Sequence, residues 1–145
     1  MTKENTRDVV RCLAQWTGHP GAYNKLLATP ISTIRKGLSV LFEGSVPLDD
    51  RLHDIQEFKL LPGVRIPSIG LLLYWRTPSL YVPYNARTER FLKDFKLQRS
   101  GMGAASIGCY RRWLDWADDF AQSLALPSVG HVDRLVEEYY ETVSR

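Results

Sequence analysis

Long apolar runs are missing from this sequence. None approaches the roughly 18 residues that a membrane-spanning helix needs, so no membrane association is expected. Cysteine is scarce as well. Cys12 and Cys109 stand far apart and fit no metal-ligand spacing, which excludes a zinc ribbon or a disulfide scaffold and predicts reduced thiols in a cytoplasmic protein. The three histidines, His19, His53 and His131, adjoin no Cys or carboxylate ligand pattern, so no metal is expected. The glycine-rich Gly101–Ser106 segment, GMGAAS, lacks the Gly-Lys-Ser/Thr ending of a phosphate loop. The opening residues, MTKENTRDVV, lack the apolar core of a secretory leader. No nucleophile–base constellation stands out, and neither catalytic residues nor a cofactor is expected.

What is present is ordinary globular composition. The chain has 145 residues, 44% of them hydrophobic and 24% charged, enough for one helical domain over residues 1–145 with a real core. The net charge of +3 is unevenly spread. Residues 51–112 hold eleven Lys and Arg against four Asp and Glu, whereas residues 113–145 hold two against seven. Such segregation predicts a basic working face with an acidic helical back, and the acidic C-terminal helices are also a candidate protein-binding surface.

Periodicity is helical almost throughout. Val9, Val10, Leu13 and Trp16 mark a helix over 6–17, which ends at the Gly18–Gly21 break, and a short one spans Ala22–Ala28. Ser32 or Thr33 is a candidate cap for a helix with Ile34, Leu38, Leu41 and Phe42 on one face. Asp49 and Asp50 favour the start of a helix carrying Leu52, Ile55 and Phe58. Further helices are expected over Ile69–Trp75, over Thr88–Leu97 with Phe91, Leu92 and Phe95 inward, and over Ser106–Leu124 after a break at Ser100–Gly103. The Ser106–Leu124 stripe is Tyr110, Trp113, Ala117, Phe120 and Leu124. A final helix carries Val132, Leu135, Val136 and Tyr139, with Asp133 a candidate cap or a partner for Arg134. Leu80-Tyr81-Val82 is the one strand candidate, and it lies between two prolines. The expected fold is all-α, a compact bundle of seven to eight short helices.

The densest stretch is Lys59–Arg90, which opens on the turn signal Leu60-Leu61-Pro62-Gly63-Val64. This segment resembles the hairpin of the helix-hairpin-helix family, Leu-Pro-Gly-Val-Gly followed by a helix. The resemblance implies DNA binding: a glycine shapes the turn, and N–H groups at the second helix's start hold a phosphate. Gly63 matches the first glycine and Arg65 stands in place of the second, so a side-chain phosphate contact is expected there. The DNA glycosylases of this family continue into a Pro-Val-Asp-Thr-His-Val-x-Arg segment, which Pro83 and Arg90 match. Asn85 occupies the position of the family's catalytic Asp, and residues 66–69, IPSI, lack the lyase Lys. Both departures point away from base excision.

Residues 70–140, with Pro83-Tyr84-Asn85-Ala86-Arg87-Thr88 at their centre, also resemble helical DNA-engaging domains of McrB-like restriction ATPases. Arg87 and Arg90 share a helix face, which Lys93 and Lys96 continue. Such a face can track a phosphate backbone, with Asn85 contacting a base edge or capping the helix. Tyr74, Trp75, Tyr81 and Tyr84 are candidates for base stacking or for the core. The expectation is therefore a non-catalytic DNA-binding module, associated with restriction or defence. Its candidate contacts are Lys59, Gly63, Arg65, Asn85, Arg87, Arg90 and Lys93. A divergent glycosylase-like enzyme and a helical protein-interaction subunit are the alternatives.

Overall fold

The computed structural model describes residues 4, 5, 7–9, 11, 12, 23–97 and 106–143. Among these residues the fold is all-helical, with no strand. The described residues between 4 and 12 are helical. Seven further helices follow: α1 (Asn24–Leu27), α2 (Ile31–Leu41), α3 (Leu48–Glu57), α4 (Ile66–Arg76), α5 (Ala86–Asp94), α6 (Ile107–Ser123) and α7 (His131–Val143). Val10, Leu13, Trp16, Ala22, His19 and the breaks at 18–21 and 100–103 lie outside the described residues. The chain divides into two compact units, Met1–Ser68 and Ile69–Arg145.

In the first unit α2 packs on α3. Helix α2 begins at Ile31, with Pro30 at its N-cap and no side-chain cap, so the expected capping role of Ser32 or Thr33 is not realised. A proline suits a helix start because its missing N–H would have had no partner there. Asp49 and Asp50 occupy the first turn of α3, as their charge favours. Arg51 is buried and donates from Nη1 to the Leu41 carbonyl, satisfying an acceptor at the C-terminal end of α2 (2.6 Å). A Cβ on Gly37 would lie 2.8 Å from Leu61 Cγ and 2.9 Å from the Leu60 carbonyl oxygen. Helix α2 can therefore press against the turn after α3 only where it carries no side chain.

In the second unit α7 packs on α5 and on α6. Tyr110, Trp113, Ala117 and Ala121 are the inward stripe of α6. The segment before α5 forms no strand, and the hydrogen bonds give the reason. Its carbonyls at Val82 and Pro83 accept from Tyr110 Oη (3.3 Å) and Trp113 Nε1 (3.2 Å), both on α6. Pro83 has no N–H to give a ladder. Tyr84 is buried edge-on to Trp113, 5.6 Å between centroids, and so belongs to the core.

Three helices end alike. Lys59, Lys96 and Ala125 follow the last turns of α3, α5 and α6 with φ of 50°, 55° and 51°. The next residue, Leu60, Leu97 or Leu126, donates its N–H back to Ile55, Leu92 or Ala121 at 3.1, 2.7 and 2.9 Å. This is the Schellman arrangement, built without its usual glycine. It turns the preceding apolar residue outward: Phe58, Phe95 and Leu124 are at least half exposed, contrary to the inward positions that periodicity predicts. Two residues on, Leu60 is buried and Leu97 and Leu126 are half-buried.

Candidate nucleic-acid interface

The connection from α3 to α4 is a Schellman end followed by a tight turn. The Val64 N–H donates to the Leu61 carbonyl (3.1 Å), which places Pro62 and Gly63 at the two central positions. Gly63 has φ 82°, as the third residue of a type II turn requires. The turn chemistry legible in Leu-Pro-Gly-Val is thus realised.

Around this turn, charge is carried by side chains. Lys59 and Arg65 are both exposed, and no carboxylate among the described residues pairs with either. Backbone donors are less available. Val64 uses its N–H within the turn, Pro67 has none, and Ile66, Ser68 and Ile69 are buried. Ser68 Oγ is hydrogen-bonded to the hydroxyl of buried Tyr23. The N-terminal end of α4 is therefore packed in protein, and solvent meets Arg65.

The second group of candidates lies in the second unit. Asn85 is the N-cap of α5: its Oδ1 accepts from the N–H groups of Arg87 (2.9 Å) and Thr88 (3.1 Å). The side-chain carbonyl of Asn85 thereby satisfies two helix-end donors that have no partner within the helix. Arg87, Arg90 and Lys93 project from α5, well exposed, but each has a carboxylate beside it. Arg87 Nη1 lies 3.5 Å from Glu137 Oε1 of α7. Arg90 Nε is 3.8 Å from Asp94, and Lys93 Nζ is 3.0 Å from Glu89. Lys96 lies beyond the end of α5 at φ 55°, so it does not continue the helical face as its spacing predicts.

Aromatic side chains of α5 and its C-cap meet those of α7, with Phe95 still half exposed. Phe91, Phe95 and Tyr139 meet at centroid distances of 4.8 to 5.5 Å, and Arg90 lies over the Tyr140 ring at 5.6 Å. Tyr139 Oη donates to Asp94 Oδ2 (3.2 Å). Of the other aromatic candidates, Trp75 is exposed and Tyr74 and Tyr81 are half-buried. The charge segregation along the chain is therefore largely cancelled here: the basic helix packs on the acidic one.

Asp133, in the first turn of α7, holds the most displaced carboxyl. Burial pushes its pKa up to about 6, Glu137 one turn away adds to the rise, and Arg87 opposes it. The expected pairing of Asp133 with Arg134 is not made, because Arg134 pairs with Glu138 (3.3 Å). The sequence places Glu137 one turn from Asp133, but the burial that dominates the shift and the proximity of Arg87 arise only in the folded chain. Among the described residues no cluster of three or more His, Cys, Asp or Glu side chains is poised for a metal, and no helix is long and apolar enough to cross a membrane.

Compared with known protein families, curated proteins and solved structures, the chain matches none of them.

Proposed function

We propose that the chain is a non-catalytic DNA-binding module that meets phosphate through the turn between α3 and α4, as its resemblance to the helix-hairpin-helix family implies. The observation that carries this proposal is the turn itself. Gly63 at φ 82° brings the chain round tightly, with the exposed cations Lys59 and Arg65 on either side. An exposed guanidinium with which no carboxylate among the described residues pairs meets a phosphate without first surrendering an ion pair. Arg87, Arg90 and Lys93 are a second contact group, at a cost. Exposed pairs like theirs are worth about 0 to 1 kcal/mol, so phosphates can displace the carboxylates. A non-catalytic role is supported by Asn85, whose amide oxygen is committed to capping α5 and carries no charge to stabilise a developing cation. Association with a restriction or defence system belongs to the same proposal and rests on the resemblance of residues 70–140 alone.

The test is fluorescence anisotropy with duplex, methylated duplex and single-stranded probes across a salt series. Each phosphate neutralised on a duplex contributes about −0.9 to the log–log salt slope. The two turn cations alone give a slope of about −2, and full engagement of α5 steepens it to about −4.5. Undetectable binding at low salt, or affinity flat with salt, removes the proposal.

A further inference from the structure

We infer that α7 is a built-in competitor for the phosphate contact of α5: Glu137 occupies Arg87 in the free protein and must be displaced when nucleic acid binds. This inference rests on the proposed DNA-binding role and adds its regulation.

The geometry is specific to these two helices. Helix α5 carries three cations, and two of its carboxylates, Glu89 and Asp94, lie on the same helix at i,i+4 spacing. Such local pairs lie within one helix, so a phosphate that displaces them disturbs no contact between helices. The Arg87–Glu137 pair differs, because it joins residues fifty positions apart across the α5–α7 packing. Glu137 Oε1 sits 3.5 Å from Arg87 Nη1, where a phosphate oxygen would otherwise be received. Asp133, one turn earlier on α7, adds a second carboxyl whose charge is felt by Arg87. Tyr139, also on α7, ties Asp94 in place through its hydroxyl (3.2 Å), so α7 braces the acid that neutralises Arg90 as well. Both side chains of the Arg87–Glu137 pair remain substantially exposed, at 61% and 45%, so a polyanion can reach the pair and exchange with it.

A competitor of this kind makes a definite prediction about a mutant cycle. Glu137→Gln removes the competing charge while keeping the side chain's size. Glu141→Gln makes the same change of charge on an exposed position of α7 that forms no ion pair among the described residues. Duplex affinity at a fixed low salt concentration is measured for wild type, both single variants, Arg87→Ala, and Arg87→Ala combined with Glu137→Gln. The expected result is about three- to fivefold tighter binding for Glu137→Gln, within the range of one exposed ion pair, and less than twofold for Glu141→Gln. In the Arg87→Ala background the Glu137→Gln gain should vanish. Binding by wild type with no gain in Glu137→Gln overturns the competitor and leaves DNA binding intact. An equal gain from Glu141→Gln, or a gain that persists without Arg87, overturns it too, because bulk charge then explains the effect. No binding by any of the five proteins overturns the DNA-binding role along with its regulation.

Discussion

Lys59 and Arg65 flank one turn, while Arg87, Arg90 and Lys93 line one helix, and the two regions differ in what stands opposite them. The turn faces its cations into solvent, and no carboxylate among the described residues pairs with them. Helix α5 has a carboxylate within 4 Å of each of its cations, one of them contributed by α7. Positive charge counted along a chain is thus a poor guide to positive potential on a surface. The count is the same whether the folded chain brings an acid alongside or leaves the cation open.

The most severe way to break the comparison is Gly63→Val. A β-branched residue is badly suited to φ 82°, so the turn should lose about 2 kcal/mol, read as a lower urea midpoint. An unchanged midpoint would mean that the turn does not depend on its glycine. Helix α5 depends instead on its cap. Asn85→Ala should cost about 1 kcal/mol, whereas Asn85→Asp, which keeps an acceptor at the N-cap, should cost far less.

Asp133 sharpens the description of α7 through pH. Its folded pKa of about 6 lies above the unfolded value near 4, so the folded state keeps a proton that the unfolded state has lost. The associated stability is therefore present below about pH 4 and is lost as pH rises to about 6. Asp133→Asn should remove this dependence and be the more stable protein at pH 7, by on the order of 1 kcal/mol after solvent screening is allowed for. A difference between the two proteins that does not grow between pH 4 and pH 6 would show that Asp133 titrates normally.

Lys59 and Lys96 offer the smallest effect and a useful contrast. Both hold positive φ at helix ends, so replacement of either by glycine should raise stability by about 0.5 kcal/mol. Only Lys59→Gly should also weaken DNA binding appreciably. Equal losses of affinity in both variants would mean that the turn has no privileged role.

Which features were legible in the sequence follows from how local their causes are. The turn at Leu61–Val64 was readable because proline and glycine dictate their own backbone geometry. The i,i+4 pairs of α5 went unread beside the row of basic residues, whereas the Asn85 cap was readable because its side chain bonds donors only two and three residues away. The helix ends at Lys59, Lys96 and Ala125 were not, because no glycine announces them, and so Phe58, Phe95 and Leu124 were expected to face inward. The Arg87–Glu137 pair and the burial of Asp133 were hidden as well. The pair depends on α7 folding back onto α5, and the burial depends on tertiary packing, neither of which a short window of sequence contains.

The most direct test of the contrast between the turn and α5 compares Arg65→Ala with Arg87→Ala across the same salt series. Both are exposed cations, so each variant should keep its unfolding midpoint within about 0.5 kcal/mol of wild type. Arg65→Ala should weaken duplex binding and make the salt slope shallower by about 0.9. Arg87→Ala should weaken binding less, because the arginine it removes is already engaged by Glu137. A larger loss from Arg87→Ala than from Arg65→Ala, or no loss from Arg65→Ala, would contradict the account.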